Sequence, residues 1–295
     1  MACLNVHWLL VFLSSLTLSL HTISTEGESD KAGFCSVVGP SSEGECSTSN
    51  GVVTETKQKI GSINDQAYPC NIDRIPLPQG VIEGSFLGSN LEPVIFVLPR
   101  WWNSDFAKKV QKAQMIEAFG NTEVELASSN SFSHDRIKMS FARYINEIMP
   151  AQGTSSRSNE TFYLFGGNLD VWDELLEDYQ RPPCGTCGPR DAALSFGAGG
   201  AGSGVAFHTH GPGFSETLVG RKRWFLYPPE HPLDWDPDMT QQAWLEDVYP
   251  LLKEQQRPWE CVIAPGEILY FPDEWMHATI NLDVWTVFVS TFTLM

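Results

Sequence analysis

Between residues 192 and 292 the chain breaks into short apolar runs separated by Gly and Pro, and this punctuation limits the fold more than any other feature. Runs of this length rich in Val, Ile, Phe, Tyr and Trp read as strands, because β-branched and aromatic side chains suit a pleated surface that Gly and Pro then end. The runs are 192–196, 205–208, 216–219, 223–227, 261–263, 267–271, 278–281 and 284–292, with one helical pattern at 240–254. Such a series predicts a double-sheet jelly roll. In the last run Trp285, Val287, Val289 and Thr291 alternate with Val284, Thr286, Phe288 and Ser290. Both parities suit burial, as in a central strand covered on its two faces.

The preceding part is more helical. Residues 91–98 form a buried strand ended by Pro99, and 104–119 carry apolar residues at helical spacing, with Ser104 as N-cap and Gly120 as terminator. A strand at 122–126, an amphipathic helix at 140–148, a strand at 161–165 and an acidic helix at 169–179 follow. Trp101 and Trp102 are read as core. The expectation is a mostly β chain with α additions: one domain over 66–295, a jelly roll with a helical N-terminal part.

Upstream lie two segments of different character. Residues 9–20 are an apolar and hydroxyl run followed by small residues, the pattern of a signal peptide over 1–24. The run is shorter than the roughly 20 residues of a spanning helix, so no stable membrane insertion is expected after cleavage. Residues 25–65 are rich in Ser, Gly, Thr and Glu and read as a flexible segment carrying Cys35 and Cys46.

Loss of the signal leaves Cys35, Cys46, Cys70, Cys184, Cys187 and Cys261, an even set that suits disulfides in an oxidising compartment. The sequence does not choose among the pairings. Cys184-Gly185-Thr186-Cys187 is read as a structural bridge rather than a redox or zinc motif, since there is no second such pair and no thioredoxin-like context. Asn159-Glu160-Thr161 is a glycosylation sequon in a Ser-rich loop. The 19 Lys and Arg against 36 Asp and Glu give a net charge of −17 with no basic stripe, which argues against nucleic acid as a partner.

Three of the seven histidines, His208, His210 and His277, could carry chemistry together. Residues i and i+2 of an extended segment point to the same side, so His208 and His210 can converge on one ion while His277 arrives from a neighbouring strand. Glu216, close in sequence, is a further carboxylate. By strand alternation Lys222, Trp224 and Leu226 share one face.

Several segments taken together resemble the JmjC (cupin-like) proteins, from about Pro78 to the end. They are the glycine-rich 198–204 leading into His208-Thr209-His210, then 220–229, 265–272, Trp275-Met276-His277 and Asn281. The resemblance implies a double-stranded β-helix with a 2-His-1-carboxylate Fe(II) site and a 2-oxoglutarate pocket. Carried over, His208 and His277 are metal ligands, His210 stands where the carboxylate is expected, and Lys222 is the lysine that binds the cosubstrate. Val205 stands where some members carry a hydroxyl. Three neutral imidazoles suit Fe(II) or Zn(II), with binding expected to weaken below about pH 6.5 as His210 protonates.

The expected function is therefore a JmjC-fold protein of the endoplasmic reticulum lumen with an atypical metal site. It is non-catalytic or weakly active and works through protein partners, a second copy of the chain among them, in folding or signalling regulation. The alternative is an Fe(II)/2-oxoglutarate-dependent protein hydroxylase.

Overall fold

The last strand, Thr286–Thr293, lies between two neighbours in a six-stranded sheet and is buried on both faces over Thr286–Thr291, as its two apolar parities predict. The computed structural model describes residues 68–77, 92–129, 136–152, 161–166, 168–231, 233 and 235–293, which all fall in the unit Ser62–Met295. Residues 1–24, the segment 25–65 with Cys35 and Cys46, and Asn159 lie outside the described residues.

In chain order the strands are β1 (Arg74–Pro76), β2 (Val94–Val97), β3 (Glu123–Ser128), β4 (Arg136–Ser140), β5 (Phe162–Tyr163), β6 (Ala192–Gly199), β7 (Gly213–Val219), β8 (Lys222–Tyr227), β9 (Trp259–Ile263), β10 (Glu267–Phe271), β11 (Met276–Asn281) and β12 (Thr286–Thr293). The helices are α1 (Ser104–Lys109), α2 (Lys112–Phe119), α3 (Phe141–Arg143), α4 (Met149–Gln152), α5 (Leu169–Leu176) and α6 (Gln241–Asp247). A π-helical turn, Tyr144–Ile148, joins α3 to α4. The large sheet runs β1-β2-β10-β7-β12-β6, a smaller one runs β11-β8-β9, and β4-β3-β5 form a third.

Alternation decides what each face of the large sheet meets. Ile95, Leu269 and Phe271 pack inward against Trp224, Leu226 and Ile263 of the small sheet. Val287, Val289, Leu218 and Phe196 point outward and pack under Phe141, Tyr144 and Trp172 of the helical part. The small sheet's own outer face, with Phe225, Tyr227, Ala278 and Ile280, is covered by Trp244 of α6. The expected jelly roll with a helical N-terminal addition is thus present.

Several local expectations change. The helix at 104–119 is interrupted at Val110 and Gln111, where Gln111 is extended and the Val110 carbonyl accepts from Trp285 Nε1 at 3.1 Å, outside any helical ladder. Its N-cap is not Ser104, the first helical residue, but Asn103, in a left-handed conformation (φ 46°). The helices expected at 169–179 and 240–254 end earlier, at Leu176 and Asp247, the latter followed by two short 3-10 turns. Trp102 is buried as expected, but Trp101 is 64% exposed.

The run 205–208 is not a regular strand. It belongs to an irregular ribbon that lies antiparallel to β11, with Asn281 N donating to Ser203 O (2.8 Å), Thr279 N to Val205 O (2.8 Å), and His208 and His277 exchanging bonds of 3.0 and 2.9 Å. Gly204 permits the close approach, since a Cβ there would lie 2.0 Å from Thr279 O.

Among the described residues no helix is long and apolar enough to cross a membrane. Among the described residues two disulfides are formed, Cys70–Cys261 and Cys184–Cys187. The first ties the segment before β1 to β9 across 191 residues of sequence. Closing so long a loop restricts the unfolded chain, so replacing Cys70 and Cys261 with Ser should lower the unfolding free energy by about 2–5 kcal/mol. Chemical denaturation of the oxidised protein reads this, and equal stability of variant and wild type would show that the bridge contributes nothing.

Candidate metal centre

His277 stands on β11, and the ribbon opposite carries His208 in register with it and His210 two residues further on. Their ligating nitrogens all lie within 4.8 Å of one another, and the ring centroids are separated by 4.3 Å (His208–His277), 4.7 Å (His210–His277) and 5.2 Å (His208–His210). The three predicted residues therefore converge.

Each ring is fixed by the same device. Nδ1 lies 2.8 Å from the Ala206 carbonyl in His208, 2.8 Å from the Gly211 carbonyl in His210 and 2.7 Å from the Trp275 carbonyl in His277. A carbonyl can only accept, so Nδ1 must carry the proton and Nε2 keeps a free lone pair. Such backbone anchoring fixes the imidazoles in the orientation that a metal site requires.

Burial holds the rings neutral as well. It pushes His208 down to about 4, helped by its histidine neighbour His210, and it pushes His277 well below the ordinary histidine range. His210 is lowered too, by burial, with the Asp273 carboxylate acting in the opposite direction. Protons thus compete for these nitrogens at lower pH than the 6.5 expected from an ordinary imidazole.

Lys222, on β8, is 1% exposed, and burial alone pushes its ammonium down to about 7. Its Nζ donates to Asn281 Oδ1 (3.3 Å) and sits 3.8 Å from the centroid of the Phe288 ring. Asn281 Nδ2 donates onward to Ser203 Oγ (3.2 Å), which donates to Gly200 O (2.7 Å). Ser203 thus joins the lysine through Asn281. Val205 and Thr279 line the same cavity, with Trp224 stacked on His277 and Phe165, Phe271, Phe288 and Phe292 closing it. This lining leaves about 20 Å³ free.

Glu216 is not part of this centre. It lies on the outer face of β7, 2% exposed, where its Oε2 accepts from Asn103 Nδ2 (2.7 Å) and Tyr179 OH (2.8 Å). There it links the sheet to the helical part, because Asn103 also pairs with the Gln180 backbone.

Residues 100–292 match the cupin-like domain family. The chain belongs to the cupin-like JmjC family. It is 46% identical over 191 residues to human JmjC domain-containing protein 8, covering 64% of this chain and 72% of that protein. The mouse protein of the same name matches at 46%, over 64% and 70%. The bifunctional arginine demethylase and lysyl-hydroxylase psr-1 of Caenorhabditis briggsae is 34% identical over 61% of this chain and 50% of that one.

Within this JmjC fold, sequence reasoning missed the turn that joins β10 to β11. Glu274 takes a left-handed conformation (φ 58°) and its N–H donates to His210 O at 3.2 Å, while the next carbonyl, of Trp275, anchors His277. Asp273 in that turn supplies the carboxylate field at His210. The only sequence signal was the nearness of Asp273-Glu274 to His277.

The buried acid outside the centre gives a sign-definite test. Burial raises the Glu216 carboxyl from 4.5 to about 7, so between those values the folded state binds more protons than the unfolded. Its contribution to stability is therefore largest below about pH 4.5, falls as pH rises to about 7, and is level above that. Glu216→Gln should flatten this part of the profile of unfolding free energy against pH; an unchanged slope would place the titration elsewhere.

Proposed function

We propose that this chain is a secretory-pathway luminal JmjC-fold protein that holds one divalent metal, Fe(II) or Zn(II), on His208, His210 and His277. It acts mainly by binding other proteins, in folding or signalling regulation, with little or no turnover. The observation that carries this is the donor set: three pre-oriented neutral imidazoles with no carboxylate among them. Such a set suits a divalent transition ion, but it leaves the dication uncompensated where the 2-His-1-carboxylate triad supplies an anion.

The second reading, an Fe(II)/2-oxoglutarate-dependent protein hydroxylase, is favoured by Lys222. It is a buried cation with no described carboxylate partner, placed where the anionic end of a cosubstrate would be neutralised. When bound, iron with 2-oxoglutarate would supply the oxidising chemistry for C–H hydroxylation. The chain's own part would be to orient that pair through His208, His210, His277 and Lys222 and to exclude water with Phe271, Phe288 and Phe292.

Support for a luminal location comes from the apolar run 9–20 and from the two disulfides, which suit an oxidising compartment. The same compartment would glycosylate Asn159. In secretory cells, digestion with an N-glycosidase should speed the protein's migration on a denaturing gel, and Asn159→Gln should remove that shift. No shift in the wild type would remove this support.

The metal reading is tested by elemental mass spectrometry on the purified protein. About one ion per chain is expected, falling to background in His277→Ala. With Fe(II), 2-oxoglutarate and ascorbate the wild type should release no succinate above the buffer rate. Succinate release that disappears in Lys222→Ala would establish the hydroxylase reading in its place.

A further inference from the structure

We propose that the Phe288 ring gates the anion seat at Lys222: it stands where a ligand carboxylate would lie, and the site admits a dicarboxylate of the 2-oxoglutarate class only when that ring is displaced. The proposal rests on the metal-centre reading above and adds a control at the Lys222 end of the same cavity.

Register places Phe288 between Gly197 of β6 and Thr217 of β7 on the inner face of the large sheet. The ring rests on Gly197, where an added Cβ would come within 2.2, 2.6 and 2.7 Å of three ring carbons. No larger residue could stand there without evicting the ring. Phe165 packs on it from 5.2 Å, and Lys222 Nζ lies 3.8 Å from its centroid.

The surroundings suit a carboxylate better than a phenyl ring. A cation–π contact neutralises no charge, and the other partner of Lys222 among the described residues is a neutral amide. Thr217, opposite Phe288, has a buried hydroxyl with no hydrogen-bond partner among the described residues, and Ser290 and Ser215, paired across the same two strands, bond each other at 3.1 Å. A buried cation and the Ser290 hydroxyl line the cavity with Phe288, and the Thr217 hydroxyl stands on the neighbouring strand in register with it, so polar groups suited to an anion accompany an apolar occupant. With the ring in place, the free volume of about 20 Å³ has room for about one water and not for a dicarboxylate.

The test is calorimetric titration of 2-oxoglutarate and succinate into the Zn(II)-loaded full chain, a metal that avoids turnover. The wild type should bind neither detectably, whereas Phe288→Ala should bind 2-oxoglutarate about tenfold or more tighter than the wild-type limit. Adding Lys222→Met to Phe288→Ala should abolish that binding. Phe288→Val, which keeps a strand-forming side chain, carries the same expectation if the alanine variant does not fold. Wild-type binding as tight as that of the variant, no binding in the folded variant, or binding indifferent to Lys222→Met would each overturn the gate. Zinc content measured on the same samples reports on the three-histidine centre separately, so a failure of the metal reading is distinguishable from a failure of the gate.

Discussion

The pair of backbone hydrogen bonds between His208 and His277 is the contact on which the site depends. It docks the irregular ribbon onto β11 and so places side chains distant in sequence on one side of one ladder. The ribbon is not a strand by its own propensity, since it is held by individual bonds at Ser203, Val205 and His208. Gly204 makes its approach to Thr279 sterically feasible. Once that pairing is made, the Ala206 and Trp275 carbonyls turn the two rings inward, and the strained Glu274 brings the His210 backbone to the same turn.

Electrostatically the interior between the two sheets is unusual for a core. It holds three imidazoles kept neutral by burial and a lysine whose contacts are an amide and an aromatic ring. A buried cation with no anion among the described residues is costly, and a group of that kind marks a candidate ligand site. The one acid buried nearby in sequence, Glu216, faces away and satisfies Asn103 and Tyr179 instead. Period-two alternation along β7 separates these two environments, with Ser215 and Thr217 inward and Glu216 outward.

Most of the β architecture was legible because period and punctuation are local properties. Short runs ended by Gly and Pro gave the strands, and the double parity of the last run gave its central place. The helical region was less legible where tertiary contacts overrode propensity. The Val110 carbonyl is claimed by Trp285 and the helix breaks there, while the left-handed Asn103 displaces Ser104 as the cap because its amide is engaged by Glu216 and Gln180.

By itself the sequence determined the ligand types and their spacing: His208 and His210 two residues apart on an extended segment, His277 on a later strand, and Lys222 sharing a face with Trp224. These follow from chemistry and from the two-residue repeat of extended chain. Only the tertiary structure decided that Glu216 lies outside the centre, that Asn281 and Ser203 join Lys222, and that Phe288 rests on Gly197 beneath the ammonium. Those relations depend on which strand lies beside which and on the exact register between them, and neither is encoded in any one local pattern.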